Sequence, residues 1–232
     1  MKAYDCNTCV ISSLDQIAWL LNLRGGDIPF NPVFKSYLVI NEDNTLRITL
    51  YSDLGKFKSQ EVREYLKNIK VDIKPYNEIA NDLKDICNKK IGLELSTVNM
   101  KVLNLINSEN SIIDLKEEIT YLKVKKNEVE LNGYRSCYIR DAIGLIKYIA
   151  WLKHQLNGLH RTDITEYTGA EKLTEFRKEQ EKFMGLSFNT ISAIGPNASI
   201  VHYKPEKHNS LILNNKEIYL LDSGAQYLYC QQ

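Results

Sequence analysis

The apolar positions change period several times along the chain. Residues 6–12 hold small and apolar side chains in succession and read as a strand. Leu14, Ile17, Ala18, Leu20 and Leu21 then recur at near-helical spacing through Leu23. Ser13 stands before them as an N-cap, with Gln16 three residues on in the capping-box position, and Arg24-Gly25-Gly26-Asp27 predicts a glycine C-cap. Ile28-Pro29-Phe30-Asn31-Pro32 must be irregular, because each proline removes a backbone donor. Two strands follow at 36–40 and 46–51, joined by the polar turn Asn41-Glu42-Asp43-Asn44.

Between 59 and 115 short helical stretches (61–66, 78–87, 98–106) alternate with strand-like ones (71–73, 91–95, 112–113), the rhythm of an α/β layer. The character changes over 115–124, which predicts a domain boundary. From Lys125 a long helix begins, marked by Val129, Leu131, Tyr134, Cys137, Tyr138, Ala142, Ile143, Leu145, Ile146, Ile149, Ala150 and Leu152. Gly133 and Gly144 each weaken that helix by about 1 kcal/mol relative to Ala, so one of them is expected at a close packing contact or a break. Asn157-Gly158 ends it. A second helix, at about 166–180, mixes Leu173 and Phe176 with many charges and is expected on the surface. Strands are then predicted at 188–194, 199–203 and 218–221, separated by Gly195-Pro196-Asn197 and a polar loop over 204–210.

Composition narrows the class. With 232 residues, 44% hydrophobic and 25% charged, the chain is globular, one large domain or two small ones. Thirty basic and 29 acidic residues leave a net charge of +1 without a long run of one sign, so nucleic acid is not an expected partner. The apolar runs at 17–23 and 142–152 are too short to cross a bilayer, and the start shows no secretory h-region, so no membrane partner is expected. Five cysteines, Cys6, Cys9, Cys87, Cys137 and Cys230, argue against a disulfide framework and for the reducing cytoplasm. Cys6-Asn7-Thr8-Cys9 has redox or zinc spacing, but it lies in the first strand without a second Cys/His pair, and buried structural thiols are expected.

Two residues are candidates for chemistry. Asp222 directly follows Ile218-Tyr219-Leu220-Leu221, read as a strand covered on both faces, and precedes Ser223-Gly224, where the chain can turn away. A lone carboxylate there is either a metal ligand or the cap of a turn. His202, between Val201 and Tyr203 at the end of its expected strand, is either a structural histidine or a functional one. A second polar residue, Asp222, at the end of a later strand in the same sheet favours function.

A longer correspondence supplies more. Ser13-Leu14-Asp15-Gln16-Ile17-Ala18-Trp19-Leu20-Leu21-Asn22-Leu23-Arg24-Gly25-Gly26-Asp27-Ile28-Pro29, followed by Asn31-Pro32-Val33-Phe34 and Ser36-Tyr37, closely resembles the middle domain of eukaryotic cytosolic Xaa-Pro aminopeptidases. The second half is similar too, in Arg140-Asp141-Ala142, Ala150-Trp151-Leu152, Ile164-Thr165-Glu166, Gly185-Leu186-Ser187-Phe188-Asn189-Thr190-Ile191, Gly195-Pro196-Asn197, Ile200-Val201-His202-Tyr203 and Leu221-Asp222-Ser223-Gly224-Ala225-Gln226-Tyr227. The resemblance implies an α/β (α+β) chain: a creatinase N-terminal-type α/β domain over 1–120 and, over 121–232, the N-terminal part of a pita-bread metallopeptidase domain. It implies two divalent cations, usually manganese, in the complete enzyme. A metal-bridging water would attack the carbonyl before a prolyl nitrogen and release the N-terminal residue of a peptide with proline in second position. By motif position Asp222 matches the first metal-ligating aspartate, and His202 the catalytic histidine that holds the substrate and stabilises the tetrahedral intermediate. The complete form is expected to be a homodimer.

The departures bear on activity. In the family an Asp-Gly-Thr-Thr-Asp segment soon follows, whereas here Leu228 precedes Tyr229-Cys230-Gln231-Gln232. The second aspartate, the later metal histidine, the two glutamates and the family's amino-terminal domain have no counterpart in the sequence. A fragment that binds metal weakly and is inactive alone is therefore expected. The alternative is a non-catalytic pita-bread binding or scaffold module, against which the presence of both His202 and Asp222 counts. Creatinase-like hydrolysis does not account for Leu23-Arg24-Gly25.

Overall fold

Thr8, Cys9, Val10 and Ile11 are all buried, because the strand they form, β1 (Thr8–Ile11), lies inside a sheet covered on both faces. The computed structural model describes residues 1–42 and 45–228, in two units that divide between Lys125 and Lys126. In the first unit β1 is followed by α1 (Leu14–Leu20), β2 (Ser36–Glu42), β3 (Leu46–Ser52), α2 (Gln60–Asn68), β4 (Val71–Pro75), α3 (Ile79–Asp85), β5 (Lys90–Leu93), α4 (Met100–Leu105), β6 (Ser111–Asp114) and α5 (Glu118–Val124). The strands form one mixed sheet in the order β4-β3-β2-β1-β5-β6, antiparallel at β1/β2 and β2/β3 and parallel elsewhere.

Alternation along each strand divides the core in two. Cys9, Ile11, Leu38 and Leu50 pack with Ile17 and Leu21, Leu66 of α2 and Ile119 of α5. On the other face Val10, Val39, Tyr51, Ile91 and Leu93 meet Ile79 and Leu83 of α3 and Val102 of α4. Cys6 and Cys9 are buried free thiols, and burial pushes that of Cys9 up to about 12.

Local details depart from expectation for identifiable reasons. Gln16 does not complete a capping box: it is buried, and its Nε2 donates to Glu94 (2.8 Å) and Thr120 (3.2 Å). α1 ends before the glycines, with Asn22 in the left-handed region at φ 47°. Gly25 instead answers a packing constraint, since a Cβ there would lie 2.6 Å from that of Phe34. Asn41 and Glu42 of the expected turn belong to β2, and Asp43 and Asn44 lie outside the described residues.

The second unit opens with α6 (Glu128–Lys153), capped by a reciprocal box between Asn127 and Glu130. Cys137, Asp141, Gly144, Tyr148 and Leu152 form its buried stripe. The expected tight contact falls at Gly144, where a Cβ would lie 3.2 Å from Cγ of Arg177 on α7 (Glu166–Lys178). α7 is not the surface helix its charges suggest. Leu173, Glu166 and Arg177 are all buried, and Arg177 donates to Asp141 at 2.9 Å.

The strands of this unit are β7 (Phe183–Leu186), β8 (Ile191–Ile194), β9 (Tyr219–Asp222) and β10 (Ala225–Tyr227). β7 goes unanticipated, β8 is shorter than 188–194, and no strand forms over 199–203. There Gly195, at φ 54°, and Pro196 start a 3-10 turn (Gly195–Ser199) that removes the chain from the sheet. β9 is not covered on both faces either: its burial alternates, and Ile218 just before it is 87% exposed.

Leu50 has no exposed surface, so Leu50→Ala is expected to destabilise the first unit by about 2–5 kcal/mol. Leu46→Ala on the same strand, at a side chain 58% exposed, should change stability by less than about 0.5 kcal/mol. Equal denaturant midpoints for the two variants would contradict this core. A second expectation concerns α6, where Tyr138, Ile139, Ile143, Ile146 and Ile149 are exposed on the side away from its buried stripe. The purified chain should associate with rising concentration, and Ile139→Glu with Ile146→Glu should suppress that association in light scattering.

Candidate functional site

Asp222 sits where an antiparallel ribbon is interrupted. β7 and β10 pair through Leu186↔Ala225, and β8 and β9 through Ile191↔Asp222. The four residues 187–190 therefore stand opposite only Ser223 and Gly224. Extra residues on one strand bend a ladder and redirect side chains. Gly224 is required at this crossing, because a Cβ would run into Ser187 Oγ and lie 3.0 Å from Phe188 Cε1, while its carbonyl accepts from the Ser187 N–H at 3.0 Å. The carboxylate of Asp222 is exposed and accepts no hydrogen bond among the described residues.

His202 leaves from the other end of the same ladder, where Ile194 pairs with Tyr219. It is not on a strand. It lies in a turn after Gly195–Ser199, exposed, with φ 57° and no hydrogen bond to its imidazole among the described residues. Ile200 and Val201 beside it are 52% and 83% exposed. No hydrogen bond or ion pair among the described residues joins His202 to Asp222.

What holds this loop is a residue quoted only as part of a motif. Glu166 is fully buried at the first position of α7, just after Thr165, whose hydroxyl caps the helix. Its Oε1 accepts from the Ile194 N–H (2.8 Å) and Asn197 Nδ2 (3.2 Å). Oε2 accepts from Asn197 Nδ2 (3.0 Å), the Tyr203 hydroxyl (2.7 Å) and the Leu211 N–H (2.9 Å). Every partner is a donor, as an ionised carboxylate requires, and the helix N-terminus adds a favourable field. Burial first, and then the adjacent Glu166 carboxylate, push the Tyr203 phenol up to about 12. The Glu166 main-chain carbonyl is fixed as well: Ser192 Oγ donates to it at 2.7 Å and meets the Tyr219 hydroxyl at 2.8 Å, which in turn meets that of Tyr148 at 2.8 Å.

Chemically, an exposed imidazole on a constrained turn can donate to or accept from a substrate, and Asp222 can offer oxygen to a cation. Hard divalent cations take six or more oxygen ligands. Among the described residues no three His, Cys, Asp or Glu side chains cluster to hold a metal ion, so a two-metal centre does not fit the residues present.

The comparisons with known proteins agree with both halves. Residues 1–130 match the creatinase/prolidase N-terminal domain, and residues 132–232 match metallopeptidase family M24. The chain is 40% identical to the Xaa-Pro aminopeptidase ApepP of Drosophila melanogaster over 98% of its own length and 37% of that protein's. It is 44% identical to a probable Xaa-Pro aminopeptidase P of Talaromyces stipitatus over 94% of the chain and 34% of the relative. The structure of an X-prolyl aminopeptidase from Caenorhabditis elegans, described as a cytosolic enzyme with a di-nuclear active site, superposes with a TM-score of 0.88 at 32% identity, covering 97% of this chain and 37% of that one. The chain thus spans little more than a third of the length of the relatives it matches. Among the described residues no helix is long and apolar enough to cross a membrane.

The crossing at Gly224 is open to a double-mutant test. Gly224→Ala is expected to destabilise the second unit by about 1–3 kcal/mol, the scale of overpacking. Adding Ser187→Ala removes the obstructing oxygen and should recover part of that loss. Strictly additive effects in chemical denaturation would contradict the close approach.

Proposed function

The chain belongs to the Xaa-Pro aminopeptidase family, and on that premise we propose that it supplies the creatinase-type domain, 1–120, and the opening part of the pita-bread domain, 121–232, of a cytoplasmic, manganese-dependent enzyme. That enzyme releases the N-terminal residue from peptides with proline in second position. Its working form is a homodimer. In this reading His202 is the catalytic residue that hydrogen-bonds the substrate carbonyl and the oxyanion that develops from it, and Asp222 is one ligand of the metal centre. The observation that most supports the reading is the ribbon interruption. The two segments quoted above for their family resemblance, residues 185–191 and 221–227, face each other across it and leave the Asp222 carboxylate exposed and uncommitted.

The 232 residues alone hydrolyse no peptide in this reading, because among the described residues no group of three His, Cys, Asp or Glu side chains is gathered to hold a metal ion. Retention of both His202 and Asp222 counts against a purely scaffolding role, which would need neither.

Two measurements test the proposal. Calorimetry on the chain alone should detect no tight manganese binding; two ions bound with micromolar affinity and lost in Asp222→Ala would refute the assignment. A chimera that continues the chain after Leu228 with the corresponding region of a family relative should cleave Xaa-Pro peptides. In it Asp222→Asn should abolish turnover with loss of metal, whereas His202→Ala should lower the rate about 100- to 1000-fold, the size of one lost oxyanion donor, with metal content intact. Unchanged cleavage in His202→Ala would remove that residue from the mechanism.

A further inference from the structure

The loop that carries His202 has no regular strand between β8 and β9, yet it is tied down at both ends and in its middle. Ile194 stands immediately before it. Leu211 closes its far side, and Asn197 and Tyr203 flank the histidine. All four reach the same carboxylate, that of Glu166, at 2.7 to 3.2 Å. We propose that Glu166 is the positioning residue for His202: its buried carboxylate gathers the loop's donors and so sets where the turn presents the imidazole. The proposal rests on the reading of His202 as the substrate-binding histidine. It adds a residue that does not touch substrate.

Three observations converge on it. First, the carboxylate has no cationic partner among the described residues, and its charge is met by neutral N–H and O–H donors together with the N-terminus of α7. An amide in its place would turn an NH2 group toward the same donors. Second, the site cannot drift, because Ser192, Tyr219 and Tyr148 hold the Glu166 main-chain carbonyl from the core side. A Cβ on Gly169, one turn along the helix, would sit 2.8 Å from the Tyr148 hydroxyl, so α7 is seated tightly there. Third, His202 adopts φ 57°, a backbone state that a residue with a side chain keeps only where its surroundings impose it. Its own side chain imposes nothing, being without a hydrogen bond among the described residues. The restraint comes through its neighbour Tyr203, whose N–H donates to Ile200 O (3.2 Å) and whose hydroxyl donates to Glu166 (2.7 Å).

The test uses the 232-residue chain and no turnover assay. Isotope-labelled protein reports the His202 imidazole resonances, the Tyr203 amide and hydrogen exchange at the Ile194 and Leu211 amides. In Glu166→Gln, exchange at Leu211 should accelerate about 10- to 100-fold, the scale of one lost charge-assisted hydrogen bond, and the His202 resonances should shift or broaden. Tyr203→Phe removes one donor to Glu166, and with it the hydroxyl that accepts from Asn197 Nδ2 at 3.0 Å, but leaves the Ile194 and Leu211 bonds to the carboxylate. It should therefore move the His202 resonances while Ile194 and Leu211 stay protected. Leu173→Ala, in the same core but not among the donors that reach Glu166, controls for general destabilisation and should leave the His202 resonances in place. The proposal is overturned if Glu166→Gln folds with unchanged His202 resonances, or if Leu173→Ala moves them equally. Should Glu166→Gln fail to fold, Tyr203→Phe and Asn197→Ala decide the matter, and unchanged His202 resonances in both would overturn it. These outcomes are separate from the functional reading: His202→Ala without effect on cleavage in the chimera would refute that reading, whatever the loop does.

Discussion

A carboxylate shut away from water persists in a fold only where other donors replace its hydration, and the second unit is arranged around one such group. Glu166 opens α7 after Thr165 has capped the helix. Its oxygens collect the last amide of β8, two side chains of the following loop and the amide at which the chain returns from it. The main-chain side of the same residue is held through Ser192 and two tyrosine hydroxyls. Helix, strand and loop are thereby referred to one charge. Removing it would take the acceptor from the Ile194 and Leu211 amides and the Tyr203 hydroxyl together, a heavier consequence than the loss of any single bond.

The first unit depends on a different constraint, the burial of β1 on both faces. Side chains that alternate along Thr8–Ile11 must satisfy two cores at once, so the strand reads as an unbroken apolar run, and the helices of each layer match its separate faces. Its buried acid, Glu94, is less completely matched than Glu166. Oε2 accepts from Gln16 and Thr97, Oε1 has no partner among the described residues, and the residue lines a cavity of about 10 Å³, close to the volume that holds one water.

Much of this was readable from the sequence wherever period alone decides. The alternation from 59 to 115, the hairpin strands and the 26-residue helix all appear, within a few residues, where the apolar spacing puts them. Failures occur where a polar side chain has a distant partner. Gln16 looks like a capping residue because its acceptor, Glu94, is 78 positions away, and α7 looks like a surface helix because the partners of Glu166 and Arg177 lie on other elements. The residues at 199–203 have strand composition, but Gly195 and Pro196 divert the chain into a turn before they are reached. A signal for Glu166 did exist: it stands in the family-like Ile164-Thr165-Glu166, yet only the fold shows what its carboxylate holds.

Glu166 and Asp222 show how environment separates the roles open to one functional group. Each lies at the end of a regular element, one at the first residue of a helix and the other at the last residue of a strand. The oxygens of Glu166 are saturated by donors and closed to solvent, so they have no lone pair in reach of a ligand and can act only by holding protein in place. Asp222 emerges where 187–190 bulge against Ser223 and Gly224, and its oxygens accept nothing from the described residues. Coordination requires the second condition and positioning the first. The sequence motifs single out Asp222 and give Glu166 no role, and the hydrogen-bond inventory of each is what assigns Glu166 to the scaffold and leaves Asp222 available for chemistry.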